Sequence, residues 1–167
     1  NMMFRRVRDS LGESVILDGT GADELFYGYP RFTPYYIAEQ LRENPIKSLK
    51  DLKNYRHHLS AYSYREILRV LTSGLYSNSH SMPELDHQPD FDRPLTLVEA
   101  GESNLEEYNF PHILHVLEKS RGEYGHEIRL PFLSAQLKRR LDETYPGENF
   151  DSGLTKYLLR DAFTEDI

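Results

Sequence analysis

Val15-Ile16-Leu17, closed by Asp18-Gly19, is the feature that most constrains the fold. Three consecutive aliphatic residues without alternation predict a short strand buried on both faces, as in a parallel sheet. Before it, residues 1–12 place Met3, Phe4, Val7 and Leu11 on one helical face, with Gly12 as the stop. Helix followed by strand is the order of an α/β unit. The rest of the sequence shows no second convincing strand. A lone parallel strand leaves backbone N–H and C=O groups unpaired, so partners must come from elsewhere. The expectation is therefore a mainly α chain, the C-terminal helical portion of a larger α/β domain, with one parallel strand near residues 14–18.

Downstream the pattern is helical. Tyr35 to Arg42 and Pro45 to Tyr55 read as helices parted at Asn44-Pro45, because proline disfavours helix at the preceding residue. Tyr55 to Leu75 reads as one longer helix, with Leu59, Tyr62, Ile67, Leu68 and Leu71 on an apolar stripe and Gly74 at its end. Residues 77–96, with three prolines and few aliphatics, predict an extended loop. Helix resumes from Asn109 to Lys119, with Pro111 in its first turn. Leu133 to Tyr145 and Leu154 to Phe163 complete the series, Asp151 or Ser152 being placed to cap the last.

Composition narrows the function classes. Twenty Lys plus Arg against 27 Asp plus Glu give a net charge of −7, which disfavours a nucleic-acid partner that needs phosphates neutralised. No apolar run approaches the roughly 18 residues needed to cross a bilayer, so a membrane partner is not expected. The absence of cysteine removes disulfides, zinc–thiolate sites and a thiol nucleophile, and suits a cytoplasmic location. Seven histidines include the adjacent His57-His58 and the i,i+3 pair His112 and His115, but no third ligand stands out, and packing or surface roles explain them better. The tyrosines at 27, 29, 35, 36, 55, 62 and 64 could stack on an adenine, although core packing is their commoner fate. Glu102, Glu106 and Glu107 read as a solvated acidic face.

Chemistry concentrates in VILDGTGADELFYGY, residues 15–29. A strand, a glycine-bearing turn and a helix opening form a geometry that holds phosphate: Gly19 and Gly21 let the backbone come close, and N–H groups at the helix start face the ligand. Asp23 and Glu24 would repel bare phosphate, so binding requires Mg²⁺ between them and its oxygens. Against this stands a plain alternative in which Asp18 and Asp23 only cap a turn and a helix.

The same segment resembles the S-G-x-G-x-D-E-x-F-x-G-Y stretch in the synthetase domain of the asparagine synthetase family. Residues 118–137, EKSRGEYGHEIRLPFLSAQL, are similar to the family's K/R-x₇-E-x-R-x-P-F-L stretch through Lys119, Glu127, Arg129, Pro131, Phe132 and Leu133. Residues 154–163, LTKYLLRDAF, are similar to its K-Y-x-L-R helix through Lys156, Tyr157, Leu159 and Arg160. The blocks are collinear from about residue 4 to 163, while 33–108 match in helical character only. The resemblance implies an ATP-pyrophosphatase fold of the adenine nucleotide alpha hydrolase type. It implies a ligase that uses ATP to adenylate a small-molecule carboxylate, releasing pyrophosphate, before ammonia or an amine attacks. By position, Asp18 and Gly19 match the pair that contacts the nucleotide, with Gly21 completing the turn. Asp23 matches the carboxylate that holds Mg²⁺–pyrophosphate, and Lys119 the lysine that neutralises charge on the transferred group. Arg129 reads as structural, pairing with Glu24 or Glu127, and Lys156 and Arg160 lie i,i+4 on one helix, either near the phosphate site or in solvated-face and salt-bridge roles.

Departures from the pattern carry information. Thr20 stands where Glu is common in asparagine synthetases and helps form the aspartyl-adenylate; a hydroxyl cannot replace that carboxylate. Beta-lactam synthetases and lasso-peptide cyclases, relatives acting on other carboxylates, vary here, so the acceptor stays open. Asp18 replaces a usual Ser. No S-G-G-x-D-S phosphate loop occurs in residues 1–167, and there is no N-terminal Cys of a glutaminase. The expectation is a partial synthetase domain over residues 1–167, inactive alone, partnered by the rest of that domain and an N-terminal glutaminase domain; a homodimer is compatible. The alternative is a catalytically degenerate homologue that serves as a partner-binding module.

Overall fold

Helix α1 (Met2–Leu11) ends where Gly12 turns left-handed at φ 70°, its N–H closing on the Arg8 carbonyl at 2.9 Å. The structure is a computed structural model and describes residues 2–12, 15–60, 62–75, 96–106 and 109–164. Phe4 is the buried anchor of α1, whereas Leu11, expected on the same apolar face, is exposed. The Nε2 of buried His126 lies 2.9 Å from the Phe4 carbonyl oxygen, tying α1 to a distant segment.

Strand β1 (Val15–Leu17) is not alone. It pairs in parallel with β2 (Glu127–Arg129), Val15 opposite Glu127, Ile16 opposite Ile128 and Leu17 opposite Arg129. This corrects the expectation of a single strand: three residues reading polar-apolar-polar are too few for periodicity to separate strand from loop. Burial on both faces is corrected as well. Val15 and Leu17 are 53% and 71% exposed, while Ile16 is half-buried. Side chains alternate across a strand, so Val15 and Leu17 share a face, and among the described residues nothing covers it. The Asp18 N–H extends the pairing to the Arg129 carbonyl at 3.0 Å and delivers the chain into α2 (Ala22–Leu25).

The main core lies among the helices that follow. Helix α3 (Thr33–Glu43) stops at Asn44, whose side chain accepts the Lys47 N–H at 3.0 Å to open α4 (Pro45–Asn54), as the Asn-Pro pair predicts. The single helix expected from Tyr55 to Leu75 is instead two, α5 (Arg56–Leu59) and α6 (Tyr64–Leu75). At the break the Ser60 hydroxyl donates to the His57 carbonyl at 2.7 Å, a side-chain bond that competes with the helical ladder. Helix α6 ends at Leu75 as expected, one residue after Gly74. Phe32, Tyr36, Ile37, Tyr55, Leu59 and Phe150 form one buried cluster, with Ile67 and Leu71 packed against it. Tyr36 and Phe150 stack at 4.4 Å, and Tyr55 meets both rings edge-on. Tyr36 and Tyr55 are therefore core residues.

Most of the loop expected over 77–96 lies outside the described residues. Thr96, its last residue, opens α7 (Leu97–Glu106), a helix not anticipated from the sequence. Its signal was present: Glu99 N–H donates to the Thr96 hydroxyl and Thr96 N–H to the Glu99 carboxylate, a reciprocal cap. Leu97 and Ala100 enter the core, leaving Glu102 and Glu106 outward as expected. Helix α8 (Asn109–Tyr124) runs beyond Lys119, its expected end. A 3₁₀ turn at Pro131–Leu133 leads to α9 (Ala135–Asp142), capped by Ser134. Helix α10 (Tyr157–Ala162) starts later than expected and without a cap from Asp151 or Ser152. Asp151 instead bridges Leu154, and Gly153 at φ 87° turns the chain against the Asn54 carbonyl. Among the described residues no helix is long and apolar enough to cross a membrane.

Candidate functional site

The turn at the carboxyl end of β1 gathers five of the residues singled out above. Asp18 holds the turn closed: one carboxylate oxygen accepts both the Thr20 N–H, at 2.8 Å, and the Thr20 hydroxyl. Gly21 then adopts φ 101°, a conformation that disfavours any other residue, and its ideal Cβ would fall 2.6 Å from a Leu133 methyl. Gly19 is different. Nothing lies within 4 Å of the place its Cβ would take, so the space against its backbone is open. The carboxyl end of a parallel strand, opening into a helix through glycines, is where α/β sheets commonly receive ligands.

Helix α2 carries two carboxylates with separate tasks. Buried Glu24 accepts the Gly21 N–H at 3.1 Å and the Tyr29 hydroxyl at 2.6 Å, so it braces the turn from below. Burial and the bond to Glu24 push the Tyr29 phenol well above its ordinary range. The Arg31 guanidinium sits 4.4 Å over the Tyr29 ring and donates to Asn104, linking the brace to α7. Asp23 faces outward and pairs with Lys156 at 2.9 Å, the side chains being 42% and 26% exposed. Lys156 occupies the left-handed region, φ 56°, just before α10. Behind it, the Thr155 hydroxyl donates to the Gly28 carbonyl at 3.2 Å and Arg160 Nε to the Thr155 carbonyl at 3.0 Å. Lys156 thus takes the salt-bridge role expected as one alternative, from the position just before the helix, while Arg160 is exposed on α10.

Gly28 makes room for that pair. A Cβ there would lie 1.9 Å from the Asp23 Oδ1 and 2.9 Å from the Lys156 Cδ. Both obstacles are movable side-chain atoms, so Gly28→Ala is expected to cost the fold within about 1 kcal/mol while displacing the carboxylate. A double-mutant cycle over Asp23 and Lys156 measures the consequence. The native chain should show coupling of about 0.5 kcal/mol, as for half-exposed ion pairs, and Gly28→Ala should show none. Undiminished coupling would mean that the pair has an alternative geometry.

The remaining assignments are simply located. Lys119 is exposed on α8, and among the described residues no hydrogen bond or ion pair ties it to the turn. Arg129 pairs with Glu127 at 2.7 Å on the exposed side of β2, which settles its partner against Glu24. No group of three or more metal-ligating side chains occurs among the described residues. The donors at the turn nevertheless suit a hard cation bound together with phosphate. They are carboxylate oxygens on a half-exposed Asp23, next to an open glycine backbone, and Mg²⁺ takes one or two carboxylates with phosphates and water. Sequence reasoning found the turn, because glycines and acids at a strand end are a local pattern. It did not find Tyr29 as the brace of Glu24 or Gly28 as the space for Asp23, since both depend on side-chain direction.

Comparison with the curated proteins and with the solved structures finds no match. The family model for Asparagine synthase matches residues 1–166, which takes in the turn, α8 and the segment that supplies Lys156. The chain belongs to the asparagine synthase family, a family of ATP-dependent amide ligases on the adenine nucleotide alpha hydrolase fold.

Proposed function

We propose that this chain forms part of a ligase that adenylates a carboxylate with ATP and passes the acyl group to ammonia or an amine. The observation that carries the reading is the turn itself: an open Gly19 backbone and a half-exposed Asp23 at the carboxyl end of a parallel strand. In this reading Gly19 and Gly21 admit the phosphates to the backbone, and Asp18 keeps the turn in shape through Thr20. Asp23 contributes oxygen to Mg²⁺–pyrophosphate, and Lys156 holds that carboxylate in place. ATP with Mg²⁺ supplies the adenylyl group when bound. Lys119 offsets negative charge growing on the transferred group, the kind of preorganised contact that lowers an adenylation barrier. Thr20 bears no carboxylate, which favours an acceptor other than aspartate, such as a β-amino acid or a peptide carboxylate.

Carboxylate-dependent ATP–pyrophosphate exchange tests this in the protein that carries the chain, assayed with aspartate, β-amino acids and peptides. The expected result is exchange with one class of carboxylate and none without it. A second reading, a degenerate homologue that binds a partner, is favoured by one observation: Asp18 and Asp23 each have an oxygen already engaged within the chain. Tight binding of Mg²⁺–ATP with no exchange for any carboxylate would support that reading instead.

A further inference from the structure

Helix α4 turns an unusual side toward its neighbours. Its inward face is Ser48, Asp51 and half-buried Leu52: the Ser48 hydroxyl donates to the Ile37 carbonyl at 3.2 Å, and Asp51 accepts the Tyr36 hydroxyl at 2.9 Å. Ile46 and Leu49 face away from the core and are 83% and 65% exposed. With about 100° between successive helical residues, Leu49, Lys53, Ile46 and Lys50 share one arc of about 100°, opposite Ser48 and Asp51. Lys50 and Lys53 are exposed, as are Lys47 on the flank of that arc and Arg42 and Arg56 beyond the two ends of the helix. Glu43 is the exposed carboxylate of residues 42–56, since Asp51 is buried. Of the 20 Lys plus Arg and 27 Asp plus Glu in the chain, seven and three fall within residues 42–69, so this stretch is positive in a chain of net charge −7. Single exposed aliphatics are ordinary, but two at i,i+3 on a face otherwise made of lysines form a pattern that nothing among the described residues covers.

We propose that the outward face of α4 docks on an anionic phospholipid surface, Ile46 and Leu49 entering the headgroup boundary while Lys47, Lys50 and Lys53 meet the negative headgroups around them. Lysine suits that place, because its stem lies along apolar surface while the ammonium stays with the charges. The acidic remainder of the chain opposes approach only weakly, since salt screens exposed charges beyond about 10 Å. Size argues against a protein partner on this face. A helix of 10 residues is about 15 Å long and about 10 Å wide, a footprint far below the roughly 800 Å² per partner of a stable protein interface. A bilayer needs no such area or matching groove, because each inserted side chain and each cation near the surface adds its own attraction. The contact is peripheral: among the described residues no helix is long and apolar enough to cross a membrane. The expectation of no membrane partner rests on the lack of a spanning run, which does not bear on a helix lying in the interface. Asp18, Gly19, Gly21 and Asp23 take no part, so the proposal stands or falls apart from the adenylation reading.

Flotation of the full chain with vesicles of equal parts phosphatidylserine and phosphatidylcholine tests the site, with pure phosphatidylcholine vesicles and soluble polyglutamate as comparisons. The expected result is partitioning onto the phosphatidylserine vesicles at least about tenfold stronger than onto phosphatidylcholine, weakening as salt is raised. Lys50→Gln with Lys53→Gln should lower that partitioning about tenfold, and Ile46→Ser with Leu49→Ser by a similar factor. All four positions are exposed, so the melting temperature should stay where it is. Arg139→Gln with Arg140→Gln removes the same charge from exposed positions of α9 and should leave partitioning unchanged. Equal partitioning onto both kinds of vesicle, or onto neither, would overturn the proposal. So would unchanged partitioning in either α4 pair, or an equal loss in the α9 pair. Binding to polyglutamate without binding to vesicles would assign the face to an acidic protein instead.

Discussion

Tyr36→Ala is expected to destabilise the fold by about 4 kcal/mol, the size seen when a buried aromatic is truncated in a core that cannot collapse around the gap. The ring is 1% exposed and stacks on Phe150 at 4.4 Å, with Tyr55 edge-on at 5.9 Å, so three helical segments and the C-terminal turn lose a shared contact. The hydroxyl adds to the cost. It donates to buried Asp51 at 2.9 Å, and its loss leaves a desolvated carboxylate short of a donor. Tyr36→Phe separates the two contributions: it keeps the stack and should cost about 1–2 kcal/mol. Chemical denaturation of both variants is the measurement. A Tyr36→Ala loss below about 1 kcal/mol would show that the aromatic cluster is not the core of this chain.

Lys119→Ala is expected to slow carboxylate-dependent ATP–pyrophosphate exchange about a hundredfold, equivalent to about 3 kcal/mol of transition-state stabilisation. The melting temperature should not move, because Lys119 is exposed on α8 and substitution of such a residue falls within about 0.5 kcal/mol. Lys156→Ala provides the contrast. Its ammonium already holds Asp23, so its removal should raise the Mg²⁺ concentration needed for exchange more than it lowers the rate at saturating Mg²⁺. Normal exchange in Lys119→Ala would transfer the charge-neutralising role away from that residue.

Much of the helical fold could be read directly, and the reasons are local. Asn44-Pro45 marks a helix boundary through a side-chain cap and a restricted backbone, both contained in two residues. The order of α1, Gly12 and β1 follows in the same way. The signal for the helix at Leu97–Glu106 is confined to Thr96 and Glu99, at the edge of a proline-rich stretch whose loop pattern overlaps it. By contrast, the expected helix over Tyr55 to Leu75 kept a continuous apolar period across a break at which the Ser60 hydroxyl bonds the His57 carbonyl. Periodicity reports which side faces inward and is insensitive to such an interruption.

Within the site the division is sharper. The amino-acid order alone determined that a strand ends at Asp18 in a glycine turn followed by acids, since spacing and the φ freedom of glycine are properties of the chain itself. Only the tertiary structure decided that β1 has a partner at Glu127–Arg129, that Glu24 faces Tyr29, and that Asp23 meets Lys156 across the space left by Gly28. Glu24 and Tyr29 are only five residues apart and meet through a non-helical turn, whereas the other two pairings join segments far apart in sequence. Their geometry depends on how the intervening helices pack, and no pattern of neighbouring residues encodes that distance.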